Sequence, residues 1–512
     1  MATVVSLIQF VLDLRGMLEK KKGSILKLLK RIFGFKSEAK QTRPKNPDEK
    51  PNSSGNTAPK TNGRNGRDDY PGAKTQKVDH QCYKDGDTCP ECGRAQLREG
   101  EPAVAYEWQG HAPLTLKVYL LQRFLCNWCR VSFTASLPDE AQVKTVDDSD
   151  DEAADKSRRC NANAGANTIV AMMRYVYGVP NYRLATIQGR RGLPLPESTQ
   201  WHMIHQVYLA GIHIFDRMIH HSAGGDLFKN DETPMAVSDL VLMLKASFSK
   251  AKRKSTRTSV ILSRTSEATI VLYFTGTALA GENLAWILDH RDPEAPTPKL
   301  MCDASKNNLC GVNDEIIVGN CWDHLRRKFY ELWERGDDRI SQVLSWIGKV
   351  YVVDAIAKTQ ELSDLDRLQL HQKKSEPWVA KIKQWLDKAP EHVEENEALG
   401  DVVSYANRHW TEFTSFLRVA GMPLANIETE HAVRSPFARH RKASGRYKTE
   451  HGALVGDIIM SLAATCEKVG EDAHHYLCAI QENRSNVYQE PDAWMPWNYR
   501  QTLASTDPPQ TV

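Results

Sequence analysis

The chain has 512 residues, 41% of them hydrophobic and 26% charged, which is enough for a sizeable core and too much for one small module, so two or three domains are expected. Lysine and arginine total 67 and aspartate and glutamate 64, a net charge of +3; bulk charge cannot hold such a protein to DNA, and nucleic-acid contact must come from local basic patches. No window reaches the roughly 18–20 uninterrupted apolar residues of a membrane span, Asp13 and Arg15 spoil the N-terminal stretch as a secretory signal, and eleven cysteines fit free thiols plus a metal site in a reducing cytoplasm better than a disulfide framework.

Residues 1–36 read as a helix with a heptad: Val4, Leu7, Val11, Leu14, Leu18, Ile25, Leu28 and Ile32 fall on alternating steps of three and four, with Lys21, Gly16 and Gly23 as weak points. Lys20, Lys22, Lys27, Lys30 and Arg31 flank the seam. The stretch is either a self-association zipper or an amphipathic helix packed on its own domain. Residues 37–80, rich in Lys, Pro, Asn, Ser and Gly, read as a disordered linker. A cysteine-bearing module follows at 81–140. An acidic linker at 141–160 carries Asp147, Asp148, Asp150, Asp151 and Glu152. A helical segment at 161–222 has Ile169, Met172, Met173, Val176 and Tyr177 on one face. The centre turns β-rich: Val260–Leu262, Ile270–Phe274, Leu300–Cys302 and Ile316–Val318 are short strands. A helix with Leu325, Phe329 and Trp333 comes next, then a helical insertion at about 335–420, a helix pair at 451–490 and a tail at 491–512. No tandem repeat is present.

Three groups of residues carry chemistry. Cys89-Pro-Glu-Cys92 and Cys126-Asn-Trp-Cys129 are two Cys-x-x-Cys knuckles, and two such pairs complete a closed, tetrahedral, structural zinc site. His80 and Cys82 stand near enough to be alternative ligands. Asp231, in Asp231-Glu-Thr-Pro234, and Asp303, at the end of an apolar strand, are carboxylates placed to meet a cation. With Glu430, which heads a helix-spaced set with Val433 and Phe437, they form a candidate set for two Mg²⁺ ions roughly 3.5–4 Å apart. Each acid alone reads as a solvated surface charge, and spacing alone does not change that. Arg326, Arg327 and Lys328 form a basic strip after Cys321-Trp-Asp-His324, either phosphate-facing or simply solvated, and Arg434 and Arg439 flank Glu430.

In order along the chain, these pieces resemble bacterial DDE transposases of the insertion sequence 66 (IS66) family. Leu29-Lys-Arg-Ile-Phe-Gly-Phe-Lys-Ser-Glu38 resembles the end of the family's zipper. Cys89-Pro-Glu-Cys-Gly93 with Cys126 and Cys129 resembles its zinc segment, and Tyr175-Val-Tyr-Gly-Val-Pro-Asn-Tyr-Arg183 its pre-core helices. Asp231-Glu-Thr-Pro234 matches the first catalytic acid. Cys321-Trp-Asp-His-Leu-Arg-Arg-Lys-Phe329 and Glu430-His-Ala-Val-Arg434 resemble two further family segments, and Ser461–Cys466 with Tyr476-Leu477 its C-terminal helices. There are departures. Asp303 is followed by Ala304-Ser305-Lys306 where the family has Asp-Gly-Tyr, and Ala425-Asn426-Ile427 stands where it has Asp-Asn-Asn. His431 follows Glu430, and Glu428 competes with it as third acid; residues two apart on a helix face different ways, so only one can serve.

The resemblance implies an RNase H-like core, a mixed sheet flanked by helices within 223–450, with Asp231 and Asp303 on adjacent strands and Glu430 on a later helix. It implies a DDE transposase, cutting and joining element ends through Mg²⁺ or Mn²⁺ held by Asp231, Asp303 and Glu430, with structural Zn²⁺ on the four cysteines. Double-stranded DNA, a homo-oligomer and accessory proteins of the same element are the implied partners, in a bacterial cytoplasm at the nucleoid, away from membranes. A degenerate copy that binds without cutting, a zinc-ribbon DNA-binding protein and an RNase H-fold nuclease stay open.

Overall fold

The polar–apolar alternations around the cysteine knuckles become two small sheets. In the first, β1 (Lys74–Val78), β3 (Ala103–Gln109), β4 (Thr115–Leu121) and β7 (Cys160–Ala162) lie in the order β1-β4-β3-β7; β2 (Leu97–Glu99), β5 (Arg123–Cys126) and β6 (Ser132–Thr134) form the second. The computed structural model describes residues 70, 73–109, 114–138, 160–246, 255–312, 315–389, 398–429, 431–432 and 445–506. The expected zipper at 1–36, most of the 37–80 linker and nearly all of the acidic linker lie outside the described residues. β3 and β4 form the antiparallel hairpin that spans the gap between the knuckles, with Tyr106 opposite Val118. Its two faces separate by period two: Trp108, Leu116 and Val118 join the main core, while Ala103, Ala105, Tyr119 and Leu121 make a small core of their own. β1 corrects the linker boundary. Its residues are almost all exposed, so composition gave no sign of it; backbone pairing with β4 holds it there.

Helices α1 (Ala164–Tyr175), α2 (Asn181–Gly189) and α3 (Glu197–Ala223) follow. Asn163 caps α1 by accepting from the Ala166 N–H at 2.8 Å. The main sheet then forms from β8 (Leu227–Pro234), with α4 (Ser238–Ala246) beyond it, β9 (Arg257–Arg264), β10 (Thr269–Gly276), helix α5 (Ala280–Leu288), β11 (Lys299–Cys302) and β12 (Ile317–Asn320). The strand order is β10-β9-β8-β11-β12. β8, β9 and β10 pair antiparallel, whereas β8, β11 and β12 run parallel. β11 runs beside the first half of β8, with Met301 level with Lys229, and β8 continues past its end to Pro234.

Next in the chain come α6 (Trp322–Trp333), α7 (Ser341–Thr359), α8 (Asp364–Lys374), α9 (Glu376–Lys388), α10 (Ala398–Arg408) and the short α11 (Trp410–Phe413). The C-terminal part holds α12 (Glu450–Val469), α13 (Ala473–Glu482), α14 (Arg484–Gln489) and α15 (Tyr499–Thr506). The segments read as separate, at 161–222 and 451–490, share one hydrophobic core with the main sheet: Ile204, Ile214 and Met218 of α3 join Ile459 and Leu462 of α12 and Ile261 of β9. Gly211 lets α3 and α12 pack closely, since a Cβ there would sit 2.5 Å from Leu462 Cδ1. The expected tail at 491–512 is corrected as well. Trp494, Met495 and Tyr499 are fully buried, and Trp494 O accepts from the Tyr476 hydroxyl at 2.8 Å.

β10 is an edge strand, and α12 covers it with side chains in place of a further strand. Thr465 Oγ1 accepts from Val271 N at 3.0 Å, Ser461 Oγ from Tyr273 N at 3.0 Å, and Asp457 Oδ2 from Thr275 N at 2.6 Å. Four helical residues rise about 6 Å and two strand residues about 6.7 Å, so the steps match. The unpaired edge donors are satisfied without leaving a template for another chain. Burial pushes the Asp457 carboxyl up to about 7 against two hydrogen bonds from Thr275. A carboxyl raised in the fold holds its proton more tightly there than in the unfolded chain. Its cost is therefore absent below the ordinary aspartate value of about 4, grows as pH rises through 4 to 7, and is constant above. Asp457→Asn should remove that slope: its thermal midpoint should match wild type near pH 4 and exceed it at pH 8, by stability on the order of 4 kcal/mol.

The described chain divides into two compact units, one of residues 65–325, 351–376 and 411–512, the other including 326–350 and 377–410. The second is helical. Phe329, Ile340, Val343, Ile347 and Val350 are buried, as are Ile382, Leu386, Leu399 and Ala406, and the Phe329 and Trp385 rings meet edge-on at 6.1 Å. Residues 338–359 form the one described helix long and apolar enough to cross a membrane by length and composition, with a mean hydropathy of 1.3. The sequence expectation rested on uninterrupted runs, and Lys349 and Asp354 interrupt this one. Asp354, in the first unit, is 4% exposed; it meets Arg367 Nη2 at 2.5 Å and Lys358 Nζ at 2.9 Å, and His371 Nε2 lies 3.4 Å away. Asp354→Ala would take from the half-buried guanidinium of Arg367 its buried carboxylate partner. It should cost roughly 3–5 kcal/mol in chemical denaturation.

Candidate metal and catalytic centre

β8 alternates its side chains between two surroundings. Phe228, Asn230 and Glu232 are one set. Glu232 accepts from Arg257 Nη1 at 2.5 Å, Asn307 Nδ2 at 2.7 Å and Ala280 N at 3.2 Å, tying β9, the start of α5 and the turn after β11 together. Lys229, Asp231 and Thr233 are the other set. Asp231 is half-buried, and its Oδ1 accepts from the Glu232 N–H at 2.8 Å.

Asp303 follows β11 directly. The parallel register pairs Lys299 with Leu227 and Met301 with Lys229. The pairing ends there, two residues before Asp303 and Asp231. A tight turn holds the Asp303 carboxylate: Oδ1 accepts from Ser305 N at 3.0 Å and from Asn308 Nδ2. Asn308 is 1% exposed, and its carbonyl accepts from Asn230 Nδ2 at 3.0 Å. The chain Asn230–Asn308–Asp303 thus ties the middle of β8 to the turn after β11. Ser305, part of the departure from Asp-Gly-Tyr, supplies both an N–H for Asp303 and a hydroxyl that accepts from Asn307 N at 3.4 Å. Burial, then the charge of Asp303, pushes the nearby Cys302 thiol well up, with Asp231 adding to it.

Glu430, Arg434 and Arg439 lie outside the described residues, as do Val433 and Phe437. Among the described residues, no third acid joins Asp231 and Asp303 in a close cluster. The segment leading to Glu430 crosses the strand ends. Leu424 O accepts from Trp322 N at 3.1 Å, Asn426 Nδ2 donates to Asn230 O at 2.9 Å, and Glu428 pairs with Lys229 Nζ at 3.2 Å. Cys321 and Trp322 are fully buried. Arg326, Arg327 and Lys328 are exposed on α6; Arg326 stacks over Tyr330 and Lys328 over Tyr405. Sequence reasoning missed Asn308, Asn426 and Lys229, whose burial is set by tertiary neighbours.

The four cysteines converge. Their Sγ atoms all lie within 4.8 Å of one another, with Cys92–Cys126 at 3.5 Å and Cys89–Cys129 at 3.9 Å. Ligands about 2.3 Å from a tetrahedral zinc stand roughly 3.8 Å apart, so the cluster has the right size for one ion. The two knuckles repeat one turn: Gly93 N donates to Cys89 O and Arg130 N to Cys126 O, with φ of +59° and +61°. A non-glycine residue in that region costs about 1 kcal/mol, which a bound ion would offset. The Cys129 backbone N–H pulls the Cys126 thiol down to about 6, suiting it to ligate as thiolate. His80 is not a ligand in this arrangement; its Nδ1 accepts from the Cys82 and Tyr83 N–H groups at 3.1 Å, and Cys82 is exposed.

A family model described as "Transposase IS66 family" matches residues 159–454. The match takes in Asp231, Asp303 and the segment around Glu430, and leaves the four cysteines outside. Two relatives from Sinorhizobium fredii, "Uncharacterized protein y4qI" and "Uncharacterized protein y4hP", are 27% identical over 202 residues and 23% identical over 211. Each alignment covers 37% of this chain, and 35% and 37% of the respective relative, so the chain spans little more than a third of the length of the curated relatives it matches.

Proposed function

The chain belongs to the IS66 family of transposases, and from that membership we propose that it cuts the DNA ends of a bacterial insertion sequence and joins them to target DNA by hydrolysis and transesterification. The observation that carries this reading is the parallel register of β8 and β11, which, continued two residues, supports Asp231 within β8 and Asp303 just past β11 as neighbours. The order β10-β9-β8-β11-β12, three strands antiparallel and the last two parallel to β8, supports an RNase H-like core. Glu430 is the third acid in this proposal: Glu428 already serves Lys229, and two residues apart on a helix face different ways.

Carboxylate oxygens are hard donors of the kind Mg²⁺ and Mn²⁺ take, so the residues fit such ions. When bound there, divalent ions supply a more acidic water and charge stabilisation at the transferring phosphoryl group. The chain's part is placement. Asn308 and the Ser305 N–H orient the Asp303 carboxylate, and the Asn230–Asn308 bond ties that turn to the residue before Asp231. The exposed Arg326, Arg327 and Lys328, with Arg434 and Arg439, are proposed to meet DNA phosphates. Zn²⁺ on the four cysteines would fold its module and leave no open position for catalysis. Synapsis of two ends calls for a homo-oligomer, and accessory proteins of the same element are proposed partners. The test is cleavage of duplex element ends in Mg²⁺ or Mn²⁺ by purified protein: Glu430→Gln should be inactive and Glu428→Gln active. The reverse pattern would move the third role to Glu428.

A further inference from the structure

Resting on the reading of Glu430 as third acid, we infer that Asn426 and Lys229 are positioning residues that fix the turn leading into that acid against the strand bearing the first. Asn426 is 1% exposed and Thr429 fully buried. The Asn426 side chain works in two directions. Nδ2 donates to the carbonyl of Asn230, the residue before Asp231, at 2.9 Å, and Oδ1 accepts from the hydroxyl of Thr429, the residue before Glu430, at 2.7 Å. One buried amide therefore bridges the immediate neighbours of both acids. Its backbone N–H also donates to Cys321 Sγ at 3.2 Å, which anchors the same residue to the end of β12.

Lys229 adds a second tie. It lies two residues before Asp231, is 8% exposed, and directs its ammonium to Glu428 at 3.2 Å. A buried ammonium needs such a partner, so Glu428 is held to β8. Beyond Glu430, the Tyr273 hydroxyl of β10 donates to Ala432 O at 3.0 Å. The chain is thus tied to the sheet on both sides of residue 430. Carboxylates that share ions must be held within about 0.5 Å of the productive geometry, and these ties are the devices among the described residues that could do so.

The test uses the full-length protein with duplex element ends and a Mn²⁺ titration, each variant assayed well below its own denaturation midpoint. Asn426→Ala and Lys229→Met should lower the cleavage rate at saturating DNA roughly 10–100-fold and raise the Mn²⁺ needed for half-maximal rate. End binding in Ca²⁺ should be unchanged. Lys229→Arg, which keeps the ion pair, should recover most of the rate. If Asn426→Ala does not fold, the Lys229→Met and Lys229→Arg pair decides alone. Wild-type rate and Mn²⁺ dependence in Asn426→Ala or Lys229→Met, while Asp231→Asn and Glu430→Gln are inactive, would overturn the positioning role only. A rate loss no larger than the loss of folded protein would do the same. Asp231→Asn and Glu430→Gln cutting like wild type would instead overturn the catalytic reading beneath it.

Discussion

Asp231→Asn and Asp303→Asn should each lower metal-dependent cleavage of element ends by roughly 10³-fold or more while leaving the denaturation midpoint near wild type. The two halves of that expectation have separate causes. Asparagine keeps the shape of aspartate and its Oδ1. At position 303 that oxygen can still accept from Ser305 N and Asn308 Nδ2, and at 231 from Glu232 N. Local structure therefore loses little. What disappears is negative charge, and charge is what a divalent ion requires of its ligands. Neither side chain is deep in the core, so neither substitution opens a cavity. A large drop in stability alongside the lost cleavage would show that these acids hold the sheet together and would leave their catalytic role without support.

Stripping metal from the cysteine cluster, or Cys126→Ser, should unfold the knuckle module and leave the main helical core intact. The module has little else to hold it. Its own buried cluster is Cys89, Leu97, Phe124 and Cys126, two of them candidate ligands, and β2 and β6 are three residues long. So small a core cannot offset the ordering entropy of its chain, whereas structural zinc contributes about 10–16 kcal/mol of apparent binding energy. The neighbouring β3–β4 hairpin places Trp108, Leu116 and Val118 in the main core and should survive. Limited proteolysis before and after a strong chelator reads the difference. New cleavage within residues 84–133 and a near-unchanged far-UV helical signal are expected. Equal resistance before and after chelation would mean that no ion holds the module together.

Much of this was legible in the sequence where one local signal sufficed. The apolar run Leu300–Cys302 ending on Asp303 is a strand followed by an acid, and the two Cys-x-x-Cys pairs do converge. The main strands at 257–264 and 269–276 were foreshadowed by their β-branched cores, Val260–Leu262 and Ile270–Phe274. What was not legible depends on partners far along the chain. β1 is polar and exposed and is recognisable only by its pairing with β4. The C-terminal residues look like a tail because Pro491 and Pro496 break any periodicity, yet Trp494, Met495 and Tyr499 reach the core. Asn308 and Asn426 are ordinary surface residues by composition. Each is 1% exposed because its side-chain amide is used inside the fold, Asn308 Nδ2 donating to Asp303 and Asn426 Nδ2 to Asn230 O.

The central claim is that Asp231 and Asp303 share a divalent ion. It is tested most directly by the anomalous-scattering map of crystals grown with end DNA and Mn²⁺. A peak with oxygens of both carboxylates roughly 2.0–2.2 Å away is the predicted result. Peaks placed elsewhere, with both carboxylates free of metal, would contradict the account.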